Sequence, residues 1–520
     1  MKKITIYFSM FIYLILFVFT MRLHTFKLLP GTDTGVFLYI GELVSENKIP
    51  YKDSWDHKPP LIYFLNGLLF KFFPKESITI AIFECLWIIV SIIIFYFFAK
   101  NLWDSKVAYI TTILFALYFS NMSFAEFFGM TETYQVLFAI LTIFFLYYGI
   151  KTNSILFILF SGFFASFSFL FRQTGVAVIF PVLLYIFISD LLIKRKIYMS
   201  FIFFLGFIMP VFAVFVYFFI NNSLSEFISQ VFVYNFFYIN LLKGSFFSKF
   251  TDSFLFKRPI LLYLTCGGIL VFLIKGFTDN SYIKKNILFF VFLVWLLSDY
   301  YFISLSKRYY NHYMVQMIPA MALLSGFFFD YILKNTRIYI SIILIIVMFI
   351  LSGSTSNMEY AIRFSMKNKN NKNLIKLKYG SYTGYYHEIV DWILKNSEPN
   401  DYIYFIGTET KLNFVTKRKS PTKYTYIYPL INYKYAKKQD FEIFYNNLNS
   451  NKPKYIIDFI GLLDTNADYE KLEKFLQLLS SFGYDKAIPI YFDKIFNLID
   501  NNYKFCGLLL NNWKIYKLKK

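Results

Sequence analysis

The chain has 520 residues, of which 57% are hydrophobic, 23% aromatic and only 16% charged. Soluble domains carry roughly one quarter charged residues, so this composition excludes an ordinary water-soluble globule, and so high an apolar content excludes disorder. Lys+Arg 53 against Asp+Glu 32 gives a net charge of +21, which in so apolar a chain points to cationic membrane loops before nucleic acid.

The apolar stretches come in a clear order. Eleven of them approach the ~20 residues a helix needs to cross a bilayer: 4–21, 78–99, 107–121, 131–150, 155–171, 174–191, 198–220, 259–275, 286–304, 313–333 and 337–353. The first opens Met1-Lys2-Lys3 and lacks a small-residue cleavage site, so it reads as a retained anchor. Lys2/Lys3, Lys100/Lys106, Lys151, Lys194-Arg195-Lys196, Lys275/Lys284/Lys285 and Lys334/Arg337 fall in every second connection. By the positive-inside rule these are cytoplasmic. The N-terminus is then inside and the C-terminus, after eleven crossings, outside. The stretch 61–73 follows Pro59-Pro60 and is too short for a span; it fits a re-entrant or interfacial helix. Three longer regions face outward on this reading: 22–77, 221–258 and everything after 354.

Composition shifts after residue 353. A polar linker over 354–385, including Met366 to Asn373, leads into a region of alternating patterns. Helices are expected at 387–396, 440–449 and 468–481. Strands are expected at 401–407, 424–428 and 454–459, and a hairpin at 502–518 turning on Asn511-Asn512. The expected architecture is a polytopic α-helical membrane domain (1–353) with a C-terminal extracytoplasmic α/β domain (386–520). The three cysteines Cys85, Cys266 and Cys506 show neither a disulfide framework nor zinc spacing.

Polar groups beside apolar spans cost free energy and need a reason. Asp33, Asp53, Asp56, His57 and Lys58 lie in the first outer loop. Glu84, Glu126, Glu132, Arg172, Asp299, Lys307, Arg308 and His312 lie near other outer connections. This one-sided set suggests a polar cavity open to the outside. Its carboxylates can take a proton from a hydroxyl, and its cations can hold a phosphate. Glycosyl transfer from a lipid phosphate needs both, with cations neutralising the phosphate as it departs.

The first loop reads Pro30-Gly31-Thr32-Asp33-Thr34-Gly35 and then Ile49-Pro50-Tyr51-Lys52-Asp53-Ser54-Trp55-Asp56-His57-Lys58-Pro59-Pro60-Leu61. It resembles the start of family 39-type membrane glycosyltransferases of the GT-C superfamily. That group includes protein O-mannosyltransferases and bacterial lipid A aminoarabinose transferases. Phe171-Arg172-Gln173-Thr174-Gly175 and Lys307-Arg308-Tyr309-Tyr310-Asn311-His312-Tyr313 are also similar to segments of that family. The resemblance implies a polyprenyl-phosphate sugar donor, transfer with inversion, and a glycan, lipid or protein acceptor at the outer face of the cytoplasmic membrane. It makes Asp33, the acid after the first span, the general base. Relatives often carry an Asp-Glu pair here; in this chain Thr34 follows Asp33, so a divalent metal has no paired carboxylate to hold it. The resemblance places Lys58, with Arg172 and Arg308, at the donor phosphate. Asp56, His57, Glu132, Tyr309 and His312 become candidate sugar or acceptor contacts.

Structural readings stand beside each role. Asp33 can N-cap the helix that begins near Thr34, and Lys58 can snorkel at the interface. Arg172 can pair with Glu84 or Glu132, and Glu132 can N-cap its own span. His312 can pack at the interface, and Asp53 and Asp56 can solvate the loop. Three rival functions also stand: a transporter or flippase for lipid-linked glycans, a non-enzymatic membrane scaffold, and a ligase or polymerase using a diphosphate-linked glycan. The first rival expects functional charges on both faces or at the midplane, and no such set is visible.

Overall fold

The computed structural model describes residues 2–121, 128–239, 257–334, 338–366, 382–432, 434–461, 463, 492–509 and 513–519. The expected helix 468–481, residues 367–373 of the linker, Glu126, and the Asn511-Asn512 turn lie outside them. The chain divides into two compact units. One comprises 1–28, 80–217 and 244–366; the other comprises 29–79, 218–243 and 367–520.

The first unit is helical. All eleven apolar stretches are helical in the structure. Five helices are long and apolar enough to cross a membrane: Ser77–Leu102, Thr131–Lys151, Ile193–Ile220, Ile260–Thr278 and Asn311–Leu333. A sixth crossing results if Tyr339–Leu351 and Ser354–Met366, bent by 59°, count as one span. The chain is thus a multi-pass membrane protein, and length alone qualifies fewer than eleven crossings among the described residues. The stretch after Arg172, for example, falls short by length: it is helical over Gln173–Ile188, a 3-10 turn Gln173–Val178 followed by the α-helix Ile179–Ile188.

Small residues set the helix packing. At Gly162 an added Cβ would collide with the Phe203 carbonyl, and at Gly206 with the Leu159 carbonyl. The two glycines therefore let helices Ile155–Phe171 and Ile193–Ile220 approach backbone to backbone, as small residues do in lipid. Gly268 does the same against the Leu324 carbonyl. Where a helix starts in a polar loop, ordinary capping suffices: Asp104 accepts from Lys106 N–H at 2.8 Å and Val107 N–H at 3.0 Å.

The second unit holds a mixed four-stranded sheet in the order β1-β2-β4-β3. Strands β1 (Ile403–Ile406) and β2 (Tyr455–Asp458) run parallel, with Ile403 opposite Tyr455. Strand β4 (Trp513–Leu518) pairs antiparallel with β2 and with β3 (Tyr503–Leu509), which bulges between Phe505 and Gly507. The period-2 alternation of β1 is satisfied on both faces. Ile403 and Phe405 pack with Ile389 and Ile393 of helix Tyr382–Asn396. Tyr404 meets Phe444 of helix Lys438–Asn451 with ring centroids 5.3 Å apart. The expected strand at 424–428 is not a strand. Its alternating Tyr-Thr-Tyr-Ile-Tyr is instead an almost wholly buried loop held by non-ladder bonds. Thr410 Oγ1 donates to the Thr425 carbonyl at 3.0 Å, Ile427 N–H to Gly407 O at 3.1 Å, and Tyr426 O–H to Asp56 at 2.7 Å.

The short apolar stretch after Pro59-Pro60 is helix Leu61–Phe72. Its 12 residues span about 18 Å at ~1.5 Å per residue, against a hydrocarbon core of ~30 Å.

Candidate functional site

In the second unit, helix Thr32–Ser45 follows Gly31, which is its N-cap with φ −65° and ψ 174°. Asp33 is therefore the second residue of the helix, exposed, and makes no capping hydrogen bond. The expectation that it N-caps the helix fails, and its carboxylate stands beside first-turn N–H groups that favour negative charge. Gly35 explains what flanks it. An added Cβ there would meet the backbone of Lys411, so the first turn lies directly against helix Thr410–Thr416. Lys411 Nζ sits 3.2 Å from Glu409 and 3.7 Å from the Tyr386 ring centre. Thus the start of the helix after β1 carries a buried ion pair beside the helix of Asp33.

The loop 49–60 is a buried knot rather than a solvated arm. Tyr51, at φ 69°, sits in the left-handed region, which is uncommon for a bulky residue and costs of order 1–3 kcal/mol. It is fully buried and donates its hydroxyl to the Lys58 carbonyl at 2.6 Å. Asp53 does local work, accepting from the Ile49 N–H at 2.7 Å. Asp56, expected to solvate the loop, is 3% exposed and accepts hydroxyls from Tyr63 and Tyr426. Burial holds its carboxyl above the usual range, against the opposing pull of those hydroxyls and of Lys58. Lys58 is itself only 9% exposed. His57 is half-buried among aromatic rings, 6.2 Å from Trp55 and 5.3 Å from Tyr234 between centroids. Gln230, Asn235, Tyr63 and Tyr426 complete this knot, and sequence reasoning gave none of them a role at the site. A signal existed: Gln230 and Asn235 are lone amides in a run from Phe227 to Phe237 that, Ser229 aside, is apolar and aromatic.

In the first unit, three expected residues come together. Arg172 forms an ion pair with Glu132, and His312 Nε2 is 3.6 Å from the same carboxylate. The Arg172 guanidinium also lies 4.2 Å from the Tyr313 ring centre, and its Nε donates to Thr174 Oγ1 at 3.0 Å. Thr174 then donates to Gln316 at 2.7 Å, and Gln316 donates to Asp299 at 2.6 Å. The N-cap of helix Thr131–Lys151 is Met130, so Glu132 is not the cap. Of the two partners open to Arg172, Glu132 is the one it takes. Glu84 is instead paired with Arg22 at 2.5 Å and accepts the Gly129 N–H at 3.0 Å. Arg308 and Tyr309 lie on a turn where Lys307 (φ 54°) and Tyr309 (φ 47°) are both left-handed, a strained geometry of the kind that clusters at functional sites. Among the described residues, no three His, Cys, Asp or Glu side chains converge as a metal site.

Residues 57–218 match the family model for dolichyl-phosphate-mannose-protein mannosyltransferases. In structure, the chain is similar to ArnT from Cupriavidus metallidurans in the apo state. The TM-score is 0.60 at 12% identity, covering 99% of this chain and 98% of that one. It is also similar to the apo oligosaccharyltransferase of Archaeoglobus fulgidus, with a TM-score of 0.53 at 12% identity, covering 93% and 72% of the two chains. A third match is AglB of the same organism, in complex with an inhibitory peptide and a dolichol-phosphate. Its TM-score is 0.54 at 11% identity, with coverage of 99% and 74%. No curated protein matches the sequence. At such identities the structural likeness is one of fold.

Proposed function

We infer that this chain, which shares its fold with ArnT and with oligosaccharyltransferases and matches the mannosyltransferase family model over 57–218, is a GT-C-type membrane enzyme that moves a sugar from a polyprenyl-phosphate donor to an acceptor hydroxyl. The reaction takes place at the outer face of the cytoplasmic membrane, on an envelope glycan, lipid or protein. Asp33 accepts the hydroxyl proton. The acceptor oxygen bonds to the anomeric carbon from the face opposite the phosphate, the carbon–oxygen bond to phosphate breaks, and polyprenyl phosphate leaves. The anomeric configuration inverts. Lys58 meets the departing phosphate, where charge develops. A positioned base is typically worth 10²–10⁴-fold in rate.

The observation that carries this reading is Asp33 itself. It is an exposed carboxylate on the first turn of its helix, not used for capping, directly after the anchor helix, in a fold shared with sugar-transferring membrane enzymes. Glu132 and Tyr313 hold Arg172, which makes it a buttress of the first unit more than a phosphate ligand. The test uses the full chain in liposomes containing a polyprenyl-phosphate sugar and an envelope extract. Release of polyprenyl phosphate with sugar appearing on an acceptor supports the reading. Lipid movement across the bilayer with no glycosidic bond formed would replace it with a flippase.

A further inference from the structure

The helix that bears Asp33 turns one stripe toward a single stretch of the C-terminal region. Gly35, Tyr39, Glu42 and Glu46 are spaced i, i+4, i+7 and i+11, which at ~100° per residue fall within about 60° of arc. Each meets the chain between residues 411 and 420. At Gly35 an added Cβ would come within 2.6 Å of Lys411 Cα. The Ser420 N–H donates to the Tyr39 hydroxyl at 2.9 Å. Glu42 pairs with Lys417 Nζ at 2.9 Å, and Glu46 with Lys419 Nζ at 2.7 Å. Both lysines are exposed, and such surface pairs contribute little. The fixed points are the backbone contact at Gly35 and the bond to Tyr39, which is buried.

The stretch 411–420 is in turn tied to the sheet. The Ile403 N–H, at the start of β1, donates to the Lys419 carbonyl at 3.1 Å. Asn413 Nδ2 donates to the Ile403 carbonyl at 3.1 Å and to the Arg418 carbonyl at 2.8 Å. Buried Arg418 donates to the Ser397 carbonyl at 2.6 Å and to its hydroxyl at 2.9 Å, just past the end of helix Tyr382–Asn396. Bonds from an ionised donor are the stronger kind, so the segment is pinned at both ends. Asp33 lies two residues before Gly35, about 160° around the helix from it. The stripe therefore holds the helix without covering the carboxylate, which is exposed.

We propose that segment 411–420, in the crossover from β1 to β2, is the positioning element of the catalytic base: Gly35 and Tyr39 index the Asp33 helix against it, so that β1 sets where the carboxylate meets the acceptor hydroxyl. That Asp33 is a base rests on the glycosyltransferase reading above; the docked stripe does not. Gly35 and Tyr39 are positioning residues acting through Asp33. The α/β region is on this account part of the catalytic apparatus rather than an appended binding module.

The test is a mutant cycle against the base, run on the full chain in liposomes with a polyprenyl-phosphate sugar and an envelope extract, with rates taken per folded enzyme. Gly35→Ala must restore an ordinary contact of at least 3.4 Å. That is a shift of roughly 1 Å, and a misplacement of this size can cost about 10²-fold in rate. kcat should fall by that factor with KM little changed, although alanine is the better helix former. Tyr39→Phe removes one neutral hydrogen bond, and kcat should fall about three- to tenfold. In an Asp33→Asn background the group being positioned is gone. Either change should then cost less than about twofold more, because residues that act as a unit are not additive. Hydrogen exchange at the Ser420 amide, slow in the wild type and faster in Tyr39→Phe, reports the docking without any chemistry. Equal fold-losses with and without Asp33→Asn, an effect on KM alone, or a rapidly exchanging Ser420 amide in the wild type overturns the proposal. A wild-type chain with slow exchange and no sugar transfer overturns the glycosyltransferase reading, and Asp33 as its base, and leaves the docked stripe standing.

Discussion

Replacing Glu132 by leucine strips the buried Arg172 of its counter-charge. Arg172 is 5% exposed and Glu132 1%, so neither charge is solvated when its partner goes. Breaking a buried pair by removing one side costs about 3–5 kcal/mol. Arg172 keeps its bond to Thr174 and its place over the Tyr313 ring, the latter worth about 0.5–2 kcal/mol, which brings the expected loss toward 3 kcal/mol. Thr131, which donates to Glu132 at 2.8 Å, loses an acceptor, a further ~1 kcal/mol. The folded-to-unfolded ratio should thus fall by roughly 10²–10³, at about 1.4 kcal/mol per tenfold. Removing both charges, as in Glu132→Leu with Arg172→Met, should recover most of that, because a well-packed apolar pair is often neutral by comparison. The assay is a double-mutant cycle on unfolding in mixed micelles, read by tryptophan fluorescence. A single substitution that costs under 1 kcal/mol, or strict additivity of the two, would refute the argument that the pair is a buried structural unit.

Burial raises the Asp56 carboxyl above its unfolded value. The folded state then holds more protons between the two values, and stability falls as pH rises through that window. Asp56→Asn should therefore gain thermal stability relative to wild type at pH 8 and lose that advantage toward pH 4, measured as melting midpoints across pH. Gly162→Leu should cost about 1–3 kcal/mol or more by forcing helices apart at the Phe203 carbonyl, read in the same micelle assay. Single cysteines at 33 and 308, introduced without the three native ones, should both react with a membrane-impermeant maleimide added from outside; protection of either until the cytoplasmic face is opened would break the topology.

Much of the helical unit was legible because its signal is length and apolarity. Each expected stretch is a helix, yet periodicity does not report where a 3-10 turn interrupts one, as at Gln173–Val178. In the α/β part, β1, β2 and the final hairpin follow from short apolar runs. The run 424–428 shows the limit of alternation. A buried loop of tyrosines reads like a strand, because the side chains that replace its ladder, Thr410 and Asp56, lie far away in sequence. At the site, residue types were readable and pairings were not. Asp56 looked like a solvated loop acid and is buried under Tyr63 and Tyr426. Arg172 looked equally able to pair with Glu84, but Arg22 claims that carboxylate. The π-helical turn Ser229–Val233, which carries Gln230, leaves no mark in hydropathy at all.

The most direct measurement is sugar transfer by Asp33→Asn in liposomes, beside the wild type and Asp33→Glu. Asparagine keeps the size and the exposed first-turn position but cannot take a proton, so turnover should fall by about 10²–10⁴-fold with the protein still inserted and folded, while glutamate retains part of the rate. Wild-type turnover in the asparagine variant would contradict the account.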